Sequence, residues 1–501
     1  MFVNILHMGK MTIFPQCHKL YQAKIILFLP PDSEYMAKTD TQTPLSFTPF
    51  HIQDKSLFQR IMQGKRRICD HTFANLFAWQ QTFGNQWTEY GDRLIVRSRT
   101  SAHDKLTKYM ILPDILTPQL PEILRLVEED ADTQDFCLVQ LSPEEAQRLK
   151  QLWPDRFMFD SPREMADYIY NISDFNSFHG RKLAAKRNHV NKFKSLYSYH
   201  YKTLTPDMFG ECLRLERIWR SEAHEDSAQL GEEENAIRLF FDHYADLELT
   251  GGALFVDDHL VAFTFGSPVS GDTFDIHIEK ADIRYEGVFP MVSQLFAQHL
   301  PPQYQYVNRE EDLGLAGLRQ SKLSYHPLRL EEKFCARPLT DDLHDVIRLW
   351  RDCFHDETAF LHAVLSRFYD NSRLFVRKAD GKIISSCLLI PCDTPMGRIG
   401  YLYAISTAER HRGQGLAAQV TQEAIAHARS QEMAAVALIP ADEGLQRYYA
   451  RFGFEPHAYP IRFANDCDLG TGDPTKDYPM FLKLKDHPIP AKEIVCIPLG
   501  K

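Results

Sequence analysis

The pattern best suited to hold a phosphate group is AERHRGQGLAAQV, residues 408–420. Gly413 and Gly415 begin a G-x-G-x-x-A spacing, which is typical of a dinucleotide-binding turn. Together with Arg410 and Arg412, the same glycines form R-x-x-G-x-G, the spacing of a loop that wraps a pyrophosphate. Glycine lets backbone N–H groups approach phosphate oxygens, and the following helix adds its positive dipole end. The segment therefore predicts a binding site for a phosphate-containing cofactor.

The two interpretations require different strands before the loop. A dinucleotide-binding turn has its first glycine directly at the end of the first strand. Here the predicted strand, residues 398–406, is followed by six residues before Gly413. Asp442 follows the next predicted strand and could hold a ribose, so this feature excludes neither interpretation. The six-residue spacing between the strand and Gly413 favours the pyrophosphate loop and leaves a dinucleotide oxidoreductase as the weaker alternative.

Alternating strands and helices surround this loop. Asp380-Gly381 marks the turn of a hairpin within residues 374–390, between segments rich in β-branched residues. Residues 434–440 form an apolar run typical of a buried strand. Residues 416–431 and 443–453 have helical composition, and the second of these ends at a glycine. The sequence thus predicts a mixed sheet with helices on its faces.

A similar order of elements occurs about 120 residues upstream, which indicates an internal repeat. Residues 254–300 repeat the hairpin, strand, loop and helix. Arg284 and Gly287 fall opposite Arg410 and Gly413, so the upstream loop retains R-x-x-G. Chance similarity between two amphipathic α/β segments is the alternative. Agreement of both element order and loop spacing favours two related folds in one chain.

The loop RHRGQGLA and the downstream segment YYARFGFEP resemble the acetyl-CoA signature and the later helix–turn segment of GNAT-family N-acetyltransferases. The resemblance covers residues 337–485. It implies acetyl-CoA as co-substrate, a small-molecule or peptide amine as acceptor, and two strands splayed apart to admit the pantetheine arm. It also implies that the strand and the loop provide the acetyl-CoA contacts: Tyr403, Ala404, Ile405, Arg410, Arg412, Gly413, Gln414, Gly415, Leu416 and Ala417.

By the same resemblance, Tyr449 is the catalytic residue, a general acid that protonates the departing thiolate of CoA. A tyrosine, with an ordinary pKa of about 10, suits a leaving group of comparable basicity. Tyr448 is adjacent, and packing of an aromatic side chain is the alternative role for either residue. His355, Asp356 and Glu357 lie where this family forms part of its acceptor wall. Exposed loop charge is their other interpretation, and no general base is identified.

Residues 45–336 resemble the phosphatidylglycerol lysyltransferase C-terminal-like family, which is a tandem of two GNAT-like folds. The resemblance rests on DHTFANLFAW (residues 70–79), GRKLAAKRNHVNKF (residues 180–193) and VNREEDLG (residues 307–314). The expected fold class is α/β (α+β). It comprises three GNAT-like mixed sheets flanked by helices, two in the N-terminal module and one at the C-terminus.

Two charged segments of this module are candidates for binding. Basic residues at roughly helical spacing could grip phosphates of a tRNA acceptor end or of an anionic head group, although a solvated helix face is the alternative. The phosphate-binding candidates are Lys182, Lys186, Arg187 and Lys192. Glu310, Glu311 and Asp312 could bind a substrate amine, hold a cation or cap a helix start.

The repeat alignment predicts that the upstream copy does not use acetyl-CoA. Phe289 stands in place of Gly415, and Gln320, which cannot protonate a thiolate, stands opposite Tyr449. An aminoacyl-tRNA or another donor stays open for this module. The predicted function is an acyltransferase that acetylates an amine through its C-terminal domain. The alternative is an N-terminal module that is either non-catalytic or aminoacyl-tRNA-dependent and acts on an anionic lipid or peptide, with acetylation secondary.

Composition limits the class of protein. The 501 residues are 44% hydrophobic and 25% charged, and the net charge is -10. These values fit a multidomain globular protein and disfavour a general nucleic-acid binder. The ten cysteines contain no C-x-x-C pair, which indicates reduced thiols and no metal site. No run approaches the about 18 apolar residues of a membrane span. We therefore expect a cytoplasmic protein, and the two resemblances imply a bacterial enzyme.

Both ends of the sequence are expected to lie outside the folded part. The leader is polar and turn-rich, IILFLPP is a weak candidate signal peptide within it, and Met36 is an alternative start. The last residues carry three prolines and are predicted to form a tail. Thr340, after a proline, predicts a helix start at the junction of the two modules. The expected organisation is a leader, two modules and a tail: residues 1–44, 45–336, 337–485 and 486–501.

Overall fold

The computed structural model describes most of the chain from Pro44 onward. The described ranges are 44–65, 68–99, 106–131, 136–222, 227–464, 469–470, 478–486 and 488–499. Apart from Pro44, the predicted leader lies outside these ranges, and so do the candidate signal peptide, Met36, Cys17 and Cys467.

The strands alternate with helices along the chain. They are β1 Thr48–Pro49, β2 Gln86–Tyr90, β3 Arg93–Ser98, β4 Thr107–Leu112, β5 Phe136–Leu141, β6 Phe157–Asp160, β7 Asp167–Asn171, β8 Tyr199–Thr203, β9 Thr250–Val256, β10 His259–Pro268, β11 Thr273–Ala281, β12 Tyr306–Asn308, β13 Arg329–Glu331, β14 Phe334–Pro338, β15 Leu374–Ala379, β16 Lys382–Thr394, β17 Gly397–Thr407, β18 Ala435–Leu438, β19 Glu455–Pro456, β20 Ile461–Phe463, β21 Met480–Lys483 and β22 Ile494–Pro498.

The helices flank the sheets, and none of those described combines the length and apolarity needed to cross a bilayer. They are α1 Lys55–Met62, α2 Phe73–Ala78, α3 Gln80–Phe83, α4 Leu120–Ala131, α5 Pro143–Leu152, α6 Ile172–Ser177, α7 Ala184–Leu196, α8 Phe209–Glu222, α9 Ser227–Asp242, α10 Val288–His299, α11 Ala316–Leu323, α12 Asp341–Phe354, α13 Thr358–Phe368, α14 Leu416–Ser430 and α15 Glu443–Ala450.

Among the described residues, these strands form three mixed sheets. The first has the order β1-β2-β3-β4-β5-β14-β6, and the second β13-β7-β12-β11-β10-β9-β8. The third has the order β19-β21-β18-β17-β16-β22-β20, with β15 paired to β16. Two sheets lie in the N-terminal module and one at the C-terminus, which confirms the predicted fold class.

Each sheet contains the same unit, a parallel pair of strands joined through a helix. The pairs are β4 with β5 through α4, β11 with β12 through α10, and β17 with β18 through α14. Parallel neighbours need such a crossover because their ends lie on opposite edges of the sheet. The unit places the loop after the first strand of each pair beside the point where the two strands diverge.

The first and second sheets share one apolar core. Phe77 of α2 and Leu94 of β3 lie in the same buried cluster as Phe240, Phe263 and Phe265 from α9 and β10. The hydrophobic effect therefore holds the two sheets together as one module. The third sheet has separate clusters on its two faces, built around helices α12 and α14.

Local sequence determines where several helices begin. The Thr340 hydroxyl accepts the backbone N–H of Leu343 at 3.3 Å and starts α12, which confirms the predicted helix start. The Asp442 carboxylate accepts the N–H of Leu445 at 2.8 Å and starts α15. Such caps satisfy N–H groups that no helical carbonyl can reach. Asp442, considered above as a ribose ligand, is thus a helix cap.

The junction of the modules is packed and contains no extended linker. β14 crosses the predicted boundary and stays paired with β6 through Pro338. Arg337 is 2% exposed, and its guanidinium donates to the carbonyl of Ser366 at 3.1 Å. Arg367 of α13 pairs with Asp160 of β6, with Nε 2.5 Å from Oδ2. The first and third sheets therefore meet through buried polar contacts.

The predicted tail contributes a strand to the third sheet, which corrects the expectation for residues 486–501. Pro498 pairs with Cys392 of β16, and Ile494 pairs in parallel with Ile461 of β20. Ile494 and Cys496 are buried, being 2% and 0% exposed. The three prolines suggested an irregular tail, but they do not interrupt the strand. The prolines at positions 488 and 490 precede β22, and Pro498 is its last residue.

Candidate functional site

The central strand of the third sheet loses its parallel neighbour halfway along its length. β17 pairs with β18 only from Ile399 to Tyr401. Beyond Tyr401, no pairing between these two strands occurs in the described ranges, while β16 stays paired along the other edge. The backbone of Tyr403 and Ile405 therefore has an edge that faces no strand. This gap is where the sequence predicted the pantetheine arm.

A bulge shapes this edge of β17. The partner of Leu388 is Tyr403 and the partner of Ser386 is Ser406, so Ala404 and Ile405 fall outside the regular register. Ala404 has φ 51°, a left-handed conformation that is costly for a residue with a Cβ. The ring of Trp350 packs edge-on against Tyr403, with centroids 5.6 Å apart, and holds the bulged segment.

The loop after β17 leads into an open helix start. Gly413 and Gly415 both have φ 79°, and a Cβ at either position would meet no atom within 4 Å. Gly415 is the N-cap of α14 and provides no side-chain cap. The first amides of α14 are therefore available to an anion, as are the exposed side chains of Arg410 and Arg412. The loop thus combines two exposed arginines with backbone amides that no side chain caps.

Tyr449 lies on the inner face of α15, against the sheet. It is 6% exposed and belongs to the apolar cluster that includes Cys387 of β16 and Leu402 of β17. Burial raises the pKa of Tyr449, so its hydroxyl keeps its proton at neutral pH. Tyr448 is less buried and carries the Arg451 guanidinium 4.7 Å from its ring centroid. The two adjacent tyrosines thus occupy different environments, and only Tyr449 is enclosed beside the central strands.

The connection between α12 and α13 lies next to the end of β17. Cys353 of α12 has its Sγ 3.7 Å from the carbonyl oxygen of Thr407. His355 and Glu357 are exposed, and Asp356 is partly buried with a pKa raised by that burial. Their part in an acceptor wall stays a prediction. Their exposure equally fits loop charge, and no general base emerges from their contacts.

The equivalent helix start in the second sheet is covered. Gly287, with φ 83°, is the N-cap of α10 as Gly415 is of α14. A Cβ on Gly287 would lie 2.3 Å from the carbonyl oxygen of His189 in α7. This corrects the repeat alignment by two residues, because Phe289 stands opposite Ala417. The upstream copy is closed to a phosphate by helix α7 and not by the Phe289 side chain.

A second correction concerns the position equivalent to Tyr449. The N-caps Leu315 and Asp442, and the left-handed residues His326 and Gly453 that follow α11 and α15, align the two helices. Lys322, and not Gln320, then stands opposite the tyrosine. The Lys322 ammonium donates to the carbonyl oxygens of Arg309 and Glu311, each at 2.5 Å, and burial lowers its pKa.

Beside Lys322, the second sheet contains a buried charged cluster around Lys333. The Lys333 ammonium lies 2.5 Å from Asp167 Oδ1, 2.5 Å from Asp70 Oδ2 and 3.4 Å from Glu311 Oε2. Lys333 is 1% exposed, yet the carboxylates around it raise its pKa against the effect of burial. Burial in turn raises the pKa of Glu311 to about 7. The Lys333 ammonium thus pairs with several carboxylates. The Sγ atom of Cys69 lies 3.4 Å from the same ammonium.

The predicted acidic segment does not act as one unit. Glu311 faces Lys333, whereas Asp312 accepts from Arg163 and Arg319 at 2.7 and 2.9 Å. Those hydrogen bonds lower the pKa of Asp312 to about 2 although burial opposes them. Glu310, with φ 55°, turns toward the end of β11 instead. Two of the three carboxylates are therefore held by side-chain cations of the chain itself.

Two of the four basic candidates, Lys186 and Arg187, pack against the module from helix α7. Lys186 lies over the ring of Tyr325, with Nζ 3.7 Å from the centroid, and burial lowers its pKa to about 8. Arg187 donates to a backbone carbonyl of the preceding turn at 2.6 Å. Lys192 forms an exposed ion pair at 2.7 Å. Lys182 is exposed to solvent. Their role in binding phosphate stays a prediction.

Sequence reasoning missed the residues that build the buried cluster. Asp167, Asp275, His277 and Lys333 come from two strands, β7 and β11, and from the connection between β13 and β14, which are far apart in the chain. One signal was present, since TFDIHIEK puts acidic and basic residues at positions of a strand otherwise expected to be buried.

Comparison with known protein families agrees with this architecture. Residues 62–337, more than half of the chain, match the family model described as phosphatidylglycerol lysyltransferase, C-terminal. The chain belongs to this family. Residues 336–457 match a second model, described as acetyltransferase (GNAT) domain. A lysyltransferase-like module is thus joined to an acyltransferase domain of the GNAT type. No protein with a curated description matches this sequence.

Several solved structures resemble parts of the chain. A conserved protein of unknown function from Bacteroides thetaiotaomicron is 36% identical, with 58% of this chain and 99% of that chain covered and a TM-score of 0.53. L-PGS from Bacillus licheniformis is 13% identical, with coverages of 57% and 91% and a TM-score of 0.40. A GNAT family N-acetyltransferase from Escherichia coli in complex with CoA is 22% identical, with coverages of 31% and 84% and a TM-score of 0.25.

Proposed function

We propose that the chain is an N-acyltransferase that transfers an acetyl group from acetyl-CoA to an amine of a small molecule or peptide. The domain responsible spans residues 337–485. The observation that carries the proposal is the open start of α14, where Gly413 and Gly415 keep the backbone accessible beside the unpaired edge of β17. Membership of a transferase family supports the same class of reaction.

The residues of the third sheet fit acetyl-CoA as co-substrate. When bound, acetyl-CoA supplies an activated acyl group. The backbone of Tyr403, Ala404 and Ile405 would hydrogen-bond the pantetheine arm along the strand edge. The exposed Arg410 and Arg412 would pair with phosphate oxygens. The amides of Gly413, Gln414, Gly415, Leu416 and Ala417 would donate to the pyrophosphate, and they are uncapped by side chains.

The enclosed hydroxyl of Tyr449 is suited to hold a proton for the leaving sulfur. Its burial keeps it protonated, and a proton at this atom favours breaking of the carbon–sulfur bond. The amine attacks the carbonyl carbon in its neutral form, and binding holds the two reactants in line. The wall of the acceptor site would be formed by residues of the α12–α13 connection, including Asp356.

Ligand-induced stabilisation of the full chain tests the proposal. Acetyl-CoA at 100 times its Kd is expected to stabilise the protein by about 2.7 kcal/mol, a rise of several degrees in Tm. Arg410→Glu should reduce this rise. Arg398→Glu is the matched control, because Arg398 is exposed on the same strand but lies at its other end. Stabilisation by NADPH and indifference to acetyl-CoA would identify a dinucleotide protein instead.

The acceptor can be identified by release of CoA. Candidate amines are screened with the purified protein while the free thiol of CoA is measured, with a sample lacking the amine as baseline for the protein's own cysteines. An amine that raises CoA release above this baseline, and that gains an acetyl group by mass spectrometry, is the substrate class.

The second candidate function gives the lysyltransferase-like module its own donor or recruiting role. The observation that favours it is the exposed basic surface at the start of α7. Since Lys186 and Arg187 make internal contacts, the informative variant is Arg181→Glu with Lys182→Glu, both of which are exposed. Weaker binding of tRNA, or of vesicles containing phosphatidylglycerol, would support this role. Unchanged binding of both would contradict it.

A further inference from the structure

The point where β11 and β12 diverge carries a group of three potential metal ligands. β11 pairs with β12 only through Asp275, and two residues later His277 lies at a bulge of β11. The Nδ1 atom of His277 is 3.4 Å from Asp275 Oδ2 and 3.3 Å from Glu310 Oε1. All three ligand atoms lie within 4.8 Å of one another. Counted along the parallel pairs, His277 occupies the position of Tyr403 in the third sheet.

Asp275 is the least satisfied member of this group. It is 0% exposed, and within the described ranges its Oδ1 has no hydrogen-bond partner. Its Oδ2 has only long contacts, at 3.4 Å to the amide of Asn75 and at 3.4 Å to His277. A buried carboxylate without close donors is costly unless a cation accompanies it.

The two distances measured from His277 Nδ1 fit a metal ion better than an ammonium group. An ammonium with hydrogen bonds of about 2.8 Å separates its acceptors by about 4.6 Å in a tetrahedral arrangement. A tetrahedral metal ion with bonds of about 2.1 Å separates its ligands by about 3.4 Å. The separations of 3.3 and 3.4 Å around His277 Nδ1 match the metal ion. They are also long for direct hydrogen bonds of a charged imidazole, which are about 2.7–2.9 Å.

A hydrogen bond with Ser267 orients the imidazole of His277. The Nε2 atom of His277 lies 2.8 Å from the Ser267 hydroxyl, and both groups are buried. If Nε2–H donates to that oxygen, Nδ1 carries the lone pair and faces the two carboxylates. Metal-bound histidines commonly donate their second ring N–H to a fixed acceptor, which sets the tautomer and the ring orientation.

We propose that Asp275, His277 and Glu310 bind a divalent transition metal ion of the Zn²⁺ class. Two carboxylates and one imidazole suit such an ion, and three protein ligands leave a fourth position for water or substrate. Asn75 lies next to this position, with its Nδ2 2.9 Å from Glu310 Oε1 and its Oδ1 without a partner in the described structure.

The neighbouring group of Cys69, Asp167 and Glu311 is the competing location. There the Lys333 ammonium already lies 2.5 Å from Asp167 Oδ1 and 3.4 Å from Cys69 Sγ. A metal ion at this place would have to displace a buried ammonium that carries hydrogen bonds. The site around His277 is therefore favoured, although the absence of a C-x-x-C pair predicted no metal in the chain.

Metal binding to the full chain tests the proposal. The protein is dialysed against a chelator, then against buffer, and titrated with Zn²⁺ while bound metal is measured by elemental analysis. We expect one tightly bound ion per chain, and affinity at least about 10-fold weaker in Asp275→Asn and His277→Gln. Cys69→Ser is the matched control and should bind normally. No tight ion in the unmodified protein, or equal binding by all variants, would overturn the proposal.

Co²⁺ gives a readout that needs no variant. The visible spectrum of bound Co²⁺ should show a tetrahedral nitrogen–oxygen site without the charge-transfer band of a thiolate. A thiolate band would move the ion to the Cys69 group and overturn the assignment. Folding of the variants is checked in chelator, where Asp275→Asn should have a Tm no lower than the unmodified chain because it removes an unsatisfied carboxylate. The outcome is independent of whether acetyl-CoA binds the third sheet.

Discussion

Helices α10 and α14 follow equivalent strands, but their N-termini lie in opposite surroundings. Each helix begins after a glycine of left-handed conformation, Gly287 in the second sheet and Gly415 in the third. Helix α7 covers the first, with the His189 carbonyl against it, while no atom lies within 4 Å of a Cβ placed on the second. The same backbone turn is therefore a packing contact in one copy and an open helix start, where we propose that phosphate binds, in the other.

The interiors beside these helices differ in the same way. In the second sheet, the end of the parallel pair is filled by buried charges around Lys333 and His277. In the third sheet the equivalent region is bordered by apolar side chains and the enclosed Tyr449. The two copies of the unit thus differ in their interiors, since one encloses charged side chains and the other encloses apolar side chains beside an open helix start.

The largest expected effect is the loss of stability when the buried charged cluster around Lys333 is disrupted. Lys333→Met removes the buried ammonium and leaves the carboxylates of Asp70 and Asp167 without their cation. We expect the free energy of unfolding to fall by about 3–5 kcal/mol, measured by urea denaturation. Lys192→Met, which removes an exposed ion pair with Glu286, should change it by less than about 1 kcal/mol. Similar losses of unfolding free energy in both variants would mean that the buried cluster stabilises the protein no more than an exposed ion pair does.

The next prediction tests the chemistry assigned to the third sheet. Tyr449→Phe removes the hydroxyl and keeps the packed ring, so acetyl-CoA binding should persist while kcat falls about 100-fold. The measurement is CoA release with the acceptor found in the amine screen, at several pH values. Tyr448→Phe is the matched control and should retain nearly full activity, because its ring is only partly buried, at the margin of the cluster that encloses Tyr449. Equal losses in both variants would contradict a specific role for Tyr449.

Alanine at three glycines sharpens the comparison of the two helix starts. Gly415→Ala should weaken acetyl-CoA binding about 10-fold and cost about 1–2 kcal/mol of stability, because of the left-handed backbone. Gly381→Ala, in an open hairpin turn with φ 74°, should cost similar stability and leave acetyl-CoA binding unchanged. Gly287→Ala should destabilise more than either, since its Cβ meets a backbone carbonyl. Calorimetry and urea denaturation measure both quantities.

The smallest expected effect concerns the helix that covers α10. The pKa of Lys186, lowered by burial to about 8, lies below its unfolded value. Between these two pKa values the unfolded chain binds more protons, so stability rises with pH from about 8 to about 10.5. Because the side chain is partly solvated, the rise is about 1 kcal/mol. Lys186→Met should flatten this part of the profile in urea denaturation. An unchanged profile would show that the amine titrates normally.

Much of the third sheet could be predicted because its signals are local. The helix predicted at residues 416–431 is α14, Leu416–Ser430, and the Asp380-Gly381 turn joins β15 to β16. Hydrophobic periodicity and turn residues act over a few positions, so one sequence contains them. The repeat was detected by the same patterns. Its loop alignment slipped by two residues because glycine spacing does not reveal which glycine caps the helix.

The sequence by itself determined the three related sheets, the glycine loop at Gly413 and Gly415, and the helix that carries Tyr449. Only the tertiary structure decided which of the copies is open, because the covering helix α7 lies about a hundred residues from the turn that it blocks. The tertiary structure also assembled Cys69, Asp167, His277 and Lys333 into one interior. The energy of a buried charge depends on partners brought together by folding, and no local pattern in the chain records them.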